Sequence, residues 1–264
     1  ESAPADGISG GLDVRRRKLL VGRHPVVLHT AACDVEELDS EALGLHIWPG
    51  THTMAHVILR LEQNGGLAGR CLLDLGCGTG FLGILVRLAG CDRVVLADRD
   101  SRALELAAMN VRANAVTNVE VQQISWDPNG NSANAAALYG TFDLLLLSEV
   151  LYVAQPPTVP WDLDSKELAA LIGLARDLLR RDGVAWVSYG NREENGIAHL
   201  QSAAEAAGLQ CTEVSVRDIV PAEDLNRRGA HALRRVRVFT LRHASALLGP
   251  SPSGGECDGQ QPCG

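Results

Sequence analysis

The sequence has no apolar run near the ~18 residues that a membrane-spanning helix needs, and it lacks an excess of basic side chains. With 24 lysines and arginines against 32 acidic residues, its net charge is −8. An acidic balance of this kind argues against a general nucleic-acid or anionic-membrane surface. The first residues also show no signal-peptide pattern. We therefore expect a protein that binds neither membranes nor nucleic acid and works in the cytoplasm, with the nucleus as a second compartment.

Patterns of paired cysteines and of metal ligands are missing as well. The seven cysteines are an odd number, scattered at positions 33, 71, 77, 91, 211, 257 and 263. Such usage is typical of a reduced compartment and not of a disulfide scaffold. His52 and His56 have the i, i+4 spacing of a zinc helix, but the glutamate of H-E-x-x-H and a third ligand are absent from the sequence. We expect no metal cofactor.

What the sequence does contain is enough apolar side chains for one α/β domain. The chain has 264 residues, of which 46% are hydrophobic, and this length is ordinary for a single domain. We place the domain at residues 19–248 and expect it to be monomeric. Residues 1–18 are predicted to be flexible, with the basic run Arg15–Lys18 as a solvated edge. Residues 249–264 have the composition of a disordered tail.

The stretch LLDLGCGTGFLG, Leu72–Gly83, organises the rest of the chain. An apolar run ends in Asp74, alternate glycines follow at positions 76, 78 and 80, and a helical apolar pattern begins at once. Glycine lets the backbone approach a ligand closely, and free amides at a helix start favour polar or anionic groups. The stretch predicts a strand, a ligand-binding turn and a helix.

Two kinds of ligand compete for this turn. Gly78–Gly83 fits G-x-G-x-x-G, the fingerprint of dinucleotide binding. Asp74 would place a carboxylate where a pyrophosphate needs room and no negative charge. The same carboxylate suits a ligand with a cationic amino group, such as S-adenosylmethionine, and so favours the methyl donor. Asp98, which ends the next predicted strand 18 residues beyond Gly80, would bind ribose hydroxyls in either ligand.

Strand and helix patterns alternate five times along the chain, and two strands then come close together at its end. This order predicts a doubly wound, mostly parallel sheet with one antiparallel strand near its edge. Ligands in such sheets bind over the carboxyl ends of the strands. Asp74, Asp98, Trp126 and Glu149 each stand at the end of a predicted strand. We expect these four side chains to converge on one site.

Four segments between Leu43 and Arg242 resemble a known family in order and spacing. They are IWPG, the glycine stretch, SWD at 125–127 and SEVLY at 148–152. The chain resembles class I S-adenosylmethionine-dependent methyltransferases, which have a Rossmann-like sheet of seven strands with helices on both faces. Within that superfamily, the two tryptophans and the E-x-x-Y motif resemble the methyltransferase-like lysine methyltransferases of non-histone proteins.

The resemblance implies S-adenosyl-L-methionine as cofactor, a protein as substrate and methyl transfer to a lysine nitrogen. Glu149 and Tyr152 would shape the methyl-transfer site. Glu149 replaces the commoner aspartate and is longer by one methylene, which leaves the target side chain open. The cofactor-binding positions, including the acid and glycines of the turn, are Trp48, Asp74, Gly76, Cys77, Gly78, Gly80, Asp98, Trp126 and Ser148.

Other functions are compatible with these residues. Within the class, the acceptor could be a small-molecule nitrogen or an arginine or histidine side chain of a protein. Outside the class, Gly78, Gly80 and Gly83 could serve an NAD(P)-dependent oxidoreductase. A catalytically silent adaptor would keep the same fold.

Overall fold

A seven-stranded sheet forms the centre of this computed structural model, which describes residues 13–32, 42–126, 133–151, 165–190, 196–227 and 230–247. Two strands at the start of the chain form a separate hairpin, and the sheet has the order β5-β4-β3-β6-β7-β9-β8. The strands are β1 Val14–Val21, β2 His24–Ala31, β3 Cys71–Leu75, β4 Arg93–Asp98, β5 Val119–Gln123, β6 Phe142–Ser148, β7 Leu179–Gly190, β8 Leu209–Val214 and β9 Val236–His243.

The direction of the strands confirms the predicted doubly wound fold. Strands β5, β4, β3, β6 and β7 run parallel to one another. Strand β9 is antiparallel to both β7 and β8, so it is the antiparallel strand next to the sheet edge. Strand β6 lies in the middle between β3 and β7, and this position explains its continuous apolar sequence, because both of its faces are covered.

Helices cover both faces of the sheet and build two apolar clusters. Successive residues of β3 point to opposite faces, so Leu72 joins the cluster with α1, α2 and α3, and Leu73 joins the cluster with α4 and α5. Both leucines are fully buried. The helices are α1 Pro49–Gln63, α2 Phe81–Leu88, α3 Ser101–Ala113, α4 Ser165–Leu178, α5 Gly196–Ala206 and α6 Ala222–Leu225. None of the helices in the described ranges has the length and apolar character needed to cross a bilayer.

Two asparagines on α3 hold the hairpin of β1 and β2. The side chain of Asn114 accepts a hydrogen bond from the backbone N–H of Val27 at 2.8 Å and donates to its carbonyl at 2.6 Å. Asn110 does the same for His29, at 2.7 and 3.0 Å. Asn110 also donates to the carbonyl of Thr79 in the glycine turn at 2.9 Å. The fully buried Asn110 amide therefore connects the hairpin to the turn.

The structure corrects one boundary drawn from the sequence. Strand β1 begins at Val14, so residues 14–18, assigned to a flexible segment, belong to the hairpin with the basic run exposed on it. Strand β7 includes Asp182 and Gly183, at the point where its pairing with β6 shifts register.

Candidate functional site

A cavity of about 700 Å³ opens over the carboxyl ends of β3, β4, β5 and β6. The parallel strands end at this edge of the sheet, so polar residues that follow different strands meet here. The residues singled out from the sequence that line it are Trp48, Asp74, Gly76, Cys77, Gly78, Asp98, Trp126, Ser148 and Glu149.

Gly80, also singled out from the sequence, is not among the residues that line the cavity. Gly80 has a φ of 73° and immediately precedes α2. A Cβ at this position would lie 3.0 Å from both Leu96 and Ala107, so Gly80 allows the turn to pack against β4 and α3. Gly80 therefore supports the packing of the turn and does not line the cavity. Tyr152 lies outside the described residues.

The glycine turn is fixed to the end of β4 by its backbone. The N–H groups of Gly76 and Cys77 both donate to the carbonyl of Ala97, at 2.8 and 2.9 Å. Gly78 has a φ of 51°, and a Cβ there would collide with the carbonyl oxygen of Gly44. Only glycine allows this conformation and this approach together, so the turn presents bare backbone to the cavity.

Asp98 accepts two hydrogen bonds from backbone groups at the rim of the cavity. Its Oδ2 accepts from Gly78 N at 2.9 Å, and its Oδ1 accepts from Asp100 N at 3.1 Å. Burial raises the pKa of Asp98, while the backbone hydrogen bonds from Asp100 and Gly78 oppose the rise. A carboxylate oriented in this way retains lone pairs for further hydroxyl donors.

Asp74 lies at the back of the turn. It is 1% exposed, and its Oδ2 accepts a hydrogen bond from Gly83 N at 3.1 Å. Burial raises the pKa of Asp74 to about 7, opposed by the hydrogen bond from Gly83 and assisted by the neighbouring Asp98. The cavity thus contains a carboxyl group that a nearby cation would convert to its ionised form.

Trp126 forms an aromatic part of the wall at the end of β5. The half-buried ring packs against the apolar cluster beside α4 and α5. The guanidinium carbon of Arg99 lies 5.9 Å from the ring centroid, within cation–π distance. Trp126 is therefore anchored on one side by the core and contacts the cavity with the rest of its ring.

Glu149 connects three elements at the same rim. Its Oε1 accepts from Gly50 N in the first turn of α1 at 2.8 Å, and its Oε2 accepts from Gly190 N at the end of β7 at 3.1 Å. The residue is 4% exposed and has a φ of 56°. A left-handed backbone at a non-glycine residue costs of order 1 kcal/mol or more and is enriched at functional sites.

A short series of hydroxyl groups continues from Glu149 along the wall. Ser188 Oγ donates to Ser148 Oγ at 3.0 Å, and Ser148 Oγ donates to Thr51 Oγ1 at 3.5 Å. Thr51, in the first turn of α1, also lines the cavity. The N-cap residue of α1 is Trp48, and no side chain caps the helix there.

Several further lining residues were not singled out from the sequence. Arg99, Gln123 and Ser125 follow strands β4 and β5, so their positions at strand ends were a usable signal. Gly44 and His46 reach the cavity from the segment before α1, and no local pattern in the sequence indicates this.

Comparison with known proteins gives consistent results. A family model described as lysine methyltransferase matches residues 29–205. The ribosomal protein L11 methyltransferase of Marinobacter nauticus is 40% identical over 73 residues, which cover 28% of this chain and 24% of that protein. The counterpart from Azotobacter vinelandii is 40% identical over 73 residues, 28% of this chain and 25% of that protein. The chain thus spans about a quarter of the length of these curated relatives.

Solved structures agree in fold. A putative SAM-dependent methyltransferase from Streptococcus mutans has a TM-score of 0.55 at 16% identity, covering 91% of this chain and 56% of that one. The N-methyltransferase NodS from Bradyrhizobium japonicum, in complex with S-adenosyl-L-homocysteine, has a TM-score of 0.51 at 18% identity, covering 77% of this chain and 92% of that one. At these identities the likeness is one of fold.

Proposed function

Because the chain belongs to the lysine methyltransferase family, we propose that it transfers a methyl group from S-adenosyl-L-methionine to a protein nitrogen, that of a lysine side chain. The observation that carries this proposal is the convergence of Asp74, Asp98, Trp126 and Glu149 on one cavity at the carboxyl edge of the sheet. These groups match the parts of the cofactor, which has a cationic amino acid end, a ribose and an adenine.

The cofactor is S-adenosyl-L-methionine, and each of its parts has a candidate partner in the wall. Asp74 and the backbone of Gly76 and Gly78 would bind the amino acid end, and Asp98 would accept hydrogen bonds from the ribose hydroxyls. Trp126 offers an aromatic face to the adenine, and Trp48 lines the cavity at the start of α1. When bound, the cofactor supplies a methyl group on a sulfonium cation.

The lysine must present a neutral amine, although the ordinary pKa of lysine is about 10.4. Removal from water and the neighbouring cation both lower that pKa. Glu149 accepts two backbone hydrogen bonds, which hold its carboxylate at the rim of the cavity, where it would orient an incoming amine. Tyr152 follows in the same motif and would act as a wall of the acceptor site. The contribution of these residues is orientation of the acceptor and exclusion of water.

A binding experiment separates this proposal from an oxidoreductase. S-adenosylhomocysteine should raise the melting temperature of the protein, whereas NAD and NADP should leave it unchanged, because ligands stabilise the folded state in proportion to their affinity for it. Stabilisation by the dinucleotides alone would contradict the proposal. S-adenosylhomocysteine should raise the melting temperature of the variant Asp98→Ala less than that of the wild type.

A second experiment identifies the acceptor. The protein is incubated with cell extract and cofactor labelled in the methyl group, and the labelled proteins are hydrolysed to amino acids. We expect the label in methylated lysine. Label in methylated arginine or histidine would identify that side chain as the acceptor in place of lysine. Label confined to small molecules would contradict a protein substrate. The variant Tyr152→Phe should bind the cofactor normally but label less protein.

A further inference from the structure

A second cavity, of about 810 Å³, lies where β8 ends and β9 begins. One wall follows the end of β8 through Val216 and Arg217, and another is the start of β9 with Val236 and Arg237. The proposed transfer reaction uses none of its lining residues. We refer to this cavity as the arginine groove.

The arginine groove lies at the same edge of the sheet as the cofactor cavity. Val236 in its wall pairs with Gly190 at the end of β7. Gly190 in turn donates its N–H to Glu149 Oε2 at 3.1 Å, at the rim of the cofactor cavity. Strand β8 also ends here, because it runs parallel to β7 across β9. Strands β9 and β8 beside the groove therefore lie two and three strand spacings from β6, at the cofactor cavity.

The floor of the arginine groove is apolar. Val220 and Val236 are 2% and 1% exposed, and Val216 and Leu225 are half-buried beside them. These four side chains belong to or pack against the same apolar cluster as α1. The exposed parts of Val216 and Leu225 can therefore contact an apolar side chain of a partner.

The rim carries three guanidinium groups against one carboxylate. Arg237 forms an ion pair with Glu213. Arg234 donates to the neutral carbonyl of Leu225 at 2.8 Å, which leaves its charge without compensation from that contact. Arg217 is exposed, and no acidic side chain in the described parts of the chain lies within ion-pair distance of it. This excess of positive charge stands out in a chain whose net charge is −8.

We propose that the arginine groove docks a segment of the protein substrate that carries an acidic residue beside an apolar one, while the target amine enters the cofactor cavity. Guanidinium groups bind carboxylates with two parallel hydrogen bonds, which favours an acidic partner. This inference rests on the proposed function and narrows its substrate to proteins with an acidic flank near the modified side chain.

The sheet geometry sets the spacing of that flank. Neighbouring strands are about 4.8 Å apart, so two to three strand spacings correspond to about 10–14 Å. An extended chain covers about 3.3 Å per residue. The acidic residue should therefore lie about three or four positions from the target amine.

Fluorescent synthetic peptides test the inference without requiring methyl transfer. The first peptide contains one lysine and a Glu-Leu pair four residues away, and the second replaces that glutamate with glutamine. Anisotropy is measured with the full chain saturated with S-adenosylhomocysteine. Wild-type protein should bind the first peptide more tightly, and the difference should shrink at high salt because exposed charges are screened.

Two matched variants locate the binding site. Arg217→Glu should weaken binding of the acidic peptide about fivefold or more, since reversing the charge replaces an attraction with a repulsion of similar size. Arg17→Glu makes the same charge change at an exposed position of strand β1, which does not line the arginine groove, and should leave the affinity unchanged. Equal weakening by both variants, or equal binding of the two peptides, would overturn the inference. Arg217-dependent binding of single-stranded RNA without binding of the acidic peptide would also overturn it.

Two controls separate this inference from the proposed function. The melting temperature of Arg217→Glu should equal that of the wild type, because the side chain is exposed. Its affinity for S-adenosylhomocysteine should also be unchanged. If peptide docking is confirmed but no protein is methylated, the proposed function fails and the docking groove stands. If proteins are methylated whether or not an acidic residue flanks the target, the proposed function stands and the docking inference fails.

Discussion

Glu149 accepts a hydrogen bond from the backbone N–H of Gly50, a residue 99 positions earlier in the chain, at 2.8 Å. Gly50 lies in the first turn of α1, where backbone N–H groups have no partner within the helix. A Cβ at Gly50 would lie 2.5 Å from Glu149 Oε1, so the contact also requires glycine at that position. The acid that follows β6 is therefore the N-terminal partner of α1 as well as part of the cavity wall.

The variant Glu149→Gln should lower the free energy of unfolding by about 1–3 kcal/mol. One carboxylate oxygen would become an amide NH₂ group facing the N–H of Gly50 or Gly190, and a buried donor would then lose its acceptor. Chemical denaturation measures the change, with the exposed Glu205→Gln as the control that should be neutral. If stability and cofactor affinity are unchanged while turnover falls, Glu149 acts on the substrate and not through α1.

The variant Asp98→Ala should weaken S-adenosylhomocysteine binding by about one to two orders of magnitude, since hydrogen bonds to a charged group contribute roughly 1.5–3 kcal/mol. Asp98→Asn should lose less, because its amide oxygen can still accept the N–H of Gly78. Titration calorimetry measures both affinities. Asp182→Asn, at a side chain that is 75% exposed, is the neutral control. Unchanged affinity in Asp98→Ala would remove this residue from the ribose site.

The variant Trp126→Ala should weaken cofactor binding by about 1–3 kcal/mol if its ring lies along the adenine. Trp126→Phe retains an aromatic face and should recover part of the affinity. The exposed aromatic Tyr139 provides the control substitution, Tyr139→Ala. Because Trp126 also packs against the core, unfolding is measured on the same samples. A loss of stability with full affinity per folded molecule would show that the ring only packs.

The stability of the unliganded protein should depend on pH through the ionisation of Asp74. Its folded pKa of about 7 lies above the ordinary aspartate value of 3.8, so the folded state binds the proton more tightly than the unfolded state. This contribution to stability is full below the unfolded pKa and is lost as pH rises through about 7. Asp74→Asn should flatten the stability profile between these values while retaining an acceptor for Gly83. Denaturation at a series of pH values checks the slope.

Cofactor binding should release protons for the same reason. A cationic amino group beside Asp74 favours the carboxylate and lowers its pKa. Calorimetry near pH 6.5 in two buffers of different ionisation enthalpy measures the release, which Asp74→Asn should reduce. A release of equal size in the variant would assign the proton to another group, of which Asp98 is the nearest candidate.

The sequence was sufficient to predict the sheet and nine of the residues that line the cavity, because these depend on local patterns. Apolar strands followed by acids or a tryptophan place Asp74, Asp98 and Trp126 at the ends of parallel strands. Local patterns did not predict the part of the wall that precedes α1. Gly44 lies against Gly78 of the glycine turn, and His46 lines the cavity beside it. Such an arrangement depends on how distant elements pack.

The partners of Glu149 illustrate the same limit. Its position after the most apolar strand indicated a functional acid, but the hydrogen bonds to Gly50 and Gly190 join residues far apart in the chain. Likewise, the Asp182–Gly183 pair has a turn-favouring sequence, yet it lies within β7, at the irregularity where the register shifts between the pairs Phe142–Leu179 and Leu144–Val184.

The two asparagines of α3 can both bind strand β2 because the spacing of residues four apart on a helix is close to that of residues two apart on a strand. Residues four apart on a helix are separated by about 6.0 Å along its axis, and residues two apart on a strand by about 6.6–6.8 Å. Asn110 and Asn114 can therefore pair with His29 and Val27 together, much as a neighbouring strand would. A slip of the hairpin by two residues would leave one asparagine without its backbone partner. A helix therefore sets the alignment of a strand that no third strand of the described residues joins on that side.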